Sequence, residues 1–135
     1  MRKLLFNFLL IFFSSCFLST WDARLVLINK TDKVIRYSWE TKSPKDTIPD
    51  LTKCEQVVPY NISADTIKTL FSLNKWDVYF RNHPDHLLRI YIINEDSLSK
   101  YGTCEIYMRQ IFMRRFDLTY NDLEKMKWQV IYDGK

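Results

Sequence analysis

The residues that could do chemistry in this chain of 135 are 3 cysteines, 2 histidines and a few Asp-Thr or Asp-Ser steps. Cys16 closes the run Phe13-Ser14-Ser15-Cys16, which has the form of a lipobox: small residues ahead of a thiol that takes a diacylglycerol and becomes the first residue after cleavage. Phe13 stands where Leu is usual. The competing fates of Cys16 are a buried structural thiol or ordinary signal cleavage, whose need for small residues is poorly met from 17 to 23. With Cys16 acylated, Cys54 and Cys104 remain as an even pair. In an oxidising compartment they form a disulfide or stay as two thiols, and spacing alone does not decide between them.

His83 and His86 flank Pro84 and Asp85. Pro84 opposes a helix that would present both rings together, and no third ligand is evident, so no metal and no other cofactor is expected. A small hydrolase would need one of these imidazoles beside a Ser, Thr or carboxylate inside a pocket. No Gly-x-Ser-x-Gly occurs, and 2 glycines exclude a Gly-rich phosphate loop, so no catalytic residue is assigned. Asp46-Thr47-Ile48, Asp65-Thr66-Ile67 and Asp96-Ser97-Leu98 resemble the Asp-Ser/Thr-apolar acceptor of bacterial O-glycosylation. Thr47, Thr66 and Ser97 are therefore candidate glycan sites, with turn and cap roles as the alternative. Asn29-Lys30-Thr31 and Asn61-Ile62-Ser63 fit the eukaryotic N-glycan pattern, which a bacterial export signal makes irrelevant.

The segment that places these residues is 1–15. Arg2 and Lys3 precede an apolar run broken only by Asn7, an export signal too short to be a permanent span of about 20 residues. Its removal leaves about 120 residues, an ordinary size for one domain. The formal charge of +4 then falls by the two signal cations, and no Lys/Arg cluster supports nucleic-acid binding. Residues 16–23 read as the lipidated cysteine and a tether, of which 17–23 reach about 25 Å when extended. Phe17 rather than Asp follows the cysteine, which points to an outer-membrane anchor, and the lack of an acidic run points it at the periplasm.

From 24 to 135 the pattern is α+β. Residues 24–28 and 34–39 read as a hairpin, 41–53 as a long charged loop, and 54–58 and 66–72 as short strands. Trp76, Tyr79 and Phe80 gather on one side of a helix over 75–82 that Pro84 ends. The run 87–93 reads as the central strand, followed by helical segments on either side of Gly102 and a strand over 111–118. Thr119 with Asp122 predicts a capped helix to about Met126, and 128–132 closes the chain as a strand with Trp128, Val130 and Tyr132 on one side.

KWDVYFRNHPDHLLRIYIINEDSLSKYGT and RRFDLTYNDLEKMKWQVIY, above all Tyr101-Gly102, residues 115–119 and Trp128, are similar to a group of small Bacteroidetes lipoproteins. The resemblance covers about the C-terminal half of the mature chain. It implies a lipid anchor and transfers no catalytic role.

The expectation is one α+β domain with a mostly antiparallel sheet and two or three short helices, lipid-anchored in a Gram-negative envelope. Its first functional reading is a non-enzymatic accessory or structural protein that holds a protein partner near the membrane. The second is a glycan- or peptide-binding module using Trp21, Trp39, Trp76 or Trp128, and the third a small hydrolase. Two coplanar indoles on an open face would favour the module; four buried ones would favour the accessory.

Overall fold

The computed structural model describes residues 21–39, 54, 59–72, 75–83 and 85–135. Seven strands and three helices are described in chain order: β1 (Val26–Asn29), β2 (Ile35–Trp39), β3 (Tyr60–Ile62), β4 (Thr66–Thr69), α1 (Trp76–Asn82), β5 (Leu88–Ile93), α2 (Glu95–Arg109), β6 (Arg114–Leu118), α3 (Tyr120–Lys125) and β7 (Gln129–Tyr132). They form two sheets, β4-β1-β7 and β3-β2-β5-β6, in which only the β1–β7 pair is parallel. The chain is thus a single α+β domain with mostly antiparallel sheets, as the pattern implies.

β1 and β2 are not a hairpin. β1 pairs with β4 and β7 in one sheet, whereas β2 pairs with β3 and β5 in the other. With β1 against β4 and β2 against β3, these four strands make one long antiparallel ribbon, bent where 30–34 and 63–65 cross from sheet to sheet. The bend is held by Asn29, which is fully buried. Its Nδ2 donates to the carbonyls of Lys33 (2.8 Å) and Ser63 (2.9 Å), and its Oδ1 accepts from the Thr31 backbone N–H (3.0 Å) and hydroxyl (2.7 Å). A buried amide so completely bonded fixes the corner because any other geometry would strand donors and acceptors away from water. Alternating residue types predict a strand but carry no record of its partner, so the apparent hairpin was a ribbon corner.

The main core lies between the sheets. Leu25 and Leu27 from around β1, Leu88, Ile90 and Ile92 from β5, and Val130 and Tyr132 from β7 are buried there with Trp76 and Phe80 of α1 and Leu123 of α3. All six residues of β5 are buried, as expected of a central strand, because Tyr91 and Ile93 enter a second core with Ile106 and Tyr107 of α2. The layers are therefore three-stranded sheet, four-stranded sheet and α2. Gly102 divides α2, its φ of 73° being a left-handed value that spares only glycine the Cβ clash. Thr119 and Asp122 form a reciprocal capping box, and α3 closes at Met126.

The region expected as strand 54–58 and the long loop 41–53 fall, Cys54 apart, outside the described residues. Strand β3 was not foreseen, since Tyr60-Asn61-Ile62 is too short to show alternation. The strand expected over 111–118 begins only at Arg114. Trp21 and Asp22, expected in the tether, belong to the folded body: Asp22 bridges Ser72 through N–H···O bonds of 3.1 and 3.2 Å.

Candidate functional site

The ribbon corner, the start of α2 and the C-terminal residues enclose a cleft of about 570 Å³, lined among others by Lys30, Asp32, Lys33, Glu95, Asp96, Met113 and Asp133. That volume lies within the range of about 300–1,000 Å³ typical of small-ligand sites. Asn94, also in the lining, caps α2, its Oδ1 accepting from the backbone N–H of Asp96 (2.7 Å) and Ser97 (3.4 Å). Glu95 is paired with Arg36 of β2, and that guanidinium holds the Glu95 carboxyl below its usual range. The lining holds both cations, Lys30 and Lys33, and carboxylates, Asp32, Glu95, Asp96 and Asp133, which suits a ligand carrying both charges, such as a peptide. Among the described residues no histidine or cysteine lines it.

His83 is buried at the end of α1 and stacks on Tyr79, ring centroids 5.2 Å apart. Its Nδ1 lies 2.8 Å from Asp85 Oδ1; a carboxylate only accepts, so this nitrogen carries the proton. Asp85 is held in turn by Arg89 of β5 and by the Leu87 backbone N–H (3.1 Å). Burial pushes the Asp85 carboxyl up, but the bonds from Arg89, Leu87 and His83 outweigh it and leave the group below its ordinary value. This is an imidazole with an orienting carboxylate, as a general base requires, yet its Nε2 is buried and bonds to no atom among the described residues. His86 is exposed, with a left-handed φ of 56°, and its Nδ1 sits 2.6 Å from the Phe80 carbonyl. The two rings have separate partners, and among the described residues no group of three His, Cys, Asp or Glu could hold a metal.

Trp39, Trp76 and Trp128 belong to the core: Trp76 packs on Trp39 at 5.6 Å and on Trp128 at 6.3 Å, tilted by 54° and 41°. They offer no open coplanar platform. Trp21 stands apart, 64 % exposed, edge-on to exposed Phe71 at 6.1 Å. The four indoles thus meet neither condition set from the sequence, three being packed inside and one outside.

Cys54 and Cys104 are joined in a disulfide with Cα atoms 5.1 Å apart, linking α2 to the chain ahead of β3. Cys16 and Thr47 lie outside the described residues. Thr66 is exposed on β4, its hydroxyl donating to the Ser63 carbonyl (2.7 Å), while Ser97 is half-buried in the first turn of α2. Asn29 spends its whole amide on the corner, so only Asn61 of the two N-glycan patterns is exposed.

Asp22 was not singled out in the sequence. Its buried carboxylate accepts from Arg24 Nε (3.0 Å) and Nη2 (2.8 Å) and from the Trp76 backbone N–H (3.1 Å), capping α1 from 54 residues away. Arg24 lies 4.0 Å over the Trp128 ring, whose Nε1 donates to Glu124 (2.9 Å). The only sequence sign was a carboxylate and a guanidinium two apart beside patterned residues, which is common on surfaces.

No family model, curated protein or solved structure matches this chain.

Proposed function

We propose that the chain is a lipid-anchored envelope protein, like the small Bacteroidetes lipoproteins it resembles, whose body is a non-enzymatic accessory holding a protein partner beside the membrane. The observation that carries this reading is the pairing of Cys54 with Cys104, which leaves Cys16, behind an export signal, as the odd cysteine. A disulfide suits an oxidising compartment, and a thiol at that position suits acylation. The anchor is placed at the outer membrane, facing the periplasm, on the strength of Phe17. Glycosylation at Thr47, Thr66 or Ser97 would add sugar in the same compartment.

A second reading, a binding module, is favoured by the cleft at the ribbon corner rather than by the indoles. Its ligand would be a peptide whose carboxylates meet Lys30 and Lys33 and whose cations meet Asp32, Asp96 and Asp133.

The test is labelled palmitate fed to Gram-negative cells producing the full chain. Label on the wild type and none on Cys16→Ala, with the wild type in the membrane pellet, supports the anchor. Equal behaviour of both proteins overturns it. Crosslinking in those cells then separates the readings of the body, since a peptide ligand in the cleft, but not a partner elsewhere, is lost on Lys33→Glu.

A further inference from the structure

The three-stranded sheet turns one face into the core and leaves the other uncovered. On the inner face Leu27 and Val130 are fully buried; on the outer, registered side by side, Ile67, Ile28 and Ile131 form one row across β4, β1 and β7. Ile67 is 65 % exposed and Ile131 41 %, values that buried core partners would not show. The adjacent row is Thr69, Val26 and Gln129, so these six positions carry no charge. Beyond them stand Phe71 and Trp21 in edge-to-face contact, both more than half exposed. Isolated exposed apolar residues are ordinary, but a contiguous apolar row such as Ile67, Ile28 and Ile131, flanked by Val26 and then, just ahead of β1, by Arg24 paired to Asp22, marks a surface that something covers.

The chain identifies the occupant. Cys16 precedes Trp21 by five residues, which extend to about 17 Å at most. Acyl chains on Cys16 would be inserted beside this face, and Asp22, bonded to Arg24, Ser72 and α1, holds Trp21 to the body rather than on a loose leash. Trp is the side chain that settles at the boundary of headgroups and hydrocarbon, with its apolar ring inward and its N–H in the wet layer. We infer that the outer face of the β4-β1-β7 sheet lies on the bilayer, with Trp21 and Phe71 at the headgroup boundary and the isoleucine row against the lipid surface. This rests on the acylation of Cys16. It adds an orientation: the four-stranded sheet and α2 point away from the membrane.

Wild type and Trp21→Phe full-length proteins, purified from membranes, are placed in phosphatidylethanolamine–phosphatidylglycerol vesicles with or without bromine on the upper acyl chain, and tryptophan emission is compared. Mass measurement of each preparation reports acylation separately. The expected result is acylated protein whose wild-type emission is quenched by bromolipid, with most of that quenching absent in Trp21→Phe. Because Trp21 is exposed, its replacement leaves the core intact, and unchanged circular dichroism checks this. Acylated protein with equal quenching in both forms overturns the orientation while leaving the anchor standing. Unacylated protein with Trp21-dependent quenching supports the face and removes the anchor reading. Equal shielding of Trp21 in vesicles with and without bromine, rising with protein concentration, means a second copy covers the face and overturns the inference.

Discussion

Asp22 and Asn29 each do more for this fold than their residue types announce. Asp22 ties the start of the body to α1 and to Arg24, and Arg24 bonding outweighs burial to hold its carboxyl below the ordinary value. A group depressed in the folded state contributes stability that is present above its unfolded value, near 3.8, and lost as pH falls through its folded value. Asp85 is depressed in the same direction. Urea midpoints are therefore expected to be level from neutral pH down to about 5 and to fall below about 4, where these carboxylates take up protons. Asp22→Asn should lower the neutral midpoint and flatten part of that acid limb; an acid limb identical to wild type would refute the role of Asp22. For Asn29→Ala, two corner carbonyls lose their donor, with a cost of about 2 kcal/mol read from the same melts. Neither role was legible in the sequence, because beside its local bonds each residue also holds a backbone group more than 30 residues away.

Elements whose signals are local were legible. The aromatic spacing in α1, the continuous apolar run of β5 and the Thr119–Asp122 box of α3 each act within a few residues, and each element stands where the pattern placed it. β1 and β2 depart from the expected hairpin for the converse reason: ribbon pairing is decided by the corner at Asn29 and by β3 and β4, far along the chain. The cleft was equally hidden, since it joins 30–35, 94–96 and 132–134 only after both sheets have formed. At this scale the capping box gives a clean test. Thr119→Ala removes the hydroxyl that accepts from the Asp122 N–H at 3.1 Å and leaves half the box. The expected loss is about 1 kcal/mol, seen as a lower urea midpoint with an unchanged slope. Thr119→Ser, which keeps the oxygen, should recover most of it.

At the scale of the whole molecule, α2 is attached to the four-stranded sheet by the second core around Tyr91 and Tyr107, by the Ser38–Tyr107 hydrogen bond and by the Arg36–Glu95 ion pair, while the Cys54–Cys104 bond ties it to the chain ahead of β3. The bond spans a sequence separation of 50. Cross-linking such a loop removes freedom chiefly from the unfolded chain, worth about 4 kcal/mol in the chain-entropy view, a large share of the 5–15 kcal/mol that holds typical domains together. The second core is small, so α2 depends on the bond more than the sheets do. Reduction is expected to lower the unfolding temperature and to raise amide exchange in α2 before it does so in β1, β5 or β7. Cys54→Ser and Cys104→Ser should each reproduce that shift, and the double substitution should add little, because one bond is lost in all three. Uniform exchange across both sheets and α2 on reduction would mean that the bond constrains only the unfolded chain, and the layer behind β5 would then be held by the core around Tyr91, Ile93, Ile106 and Tyr107 together with the Ser38–Tyr107 and Arg36–Glu95 contacts.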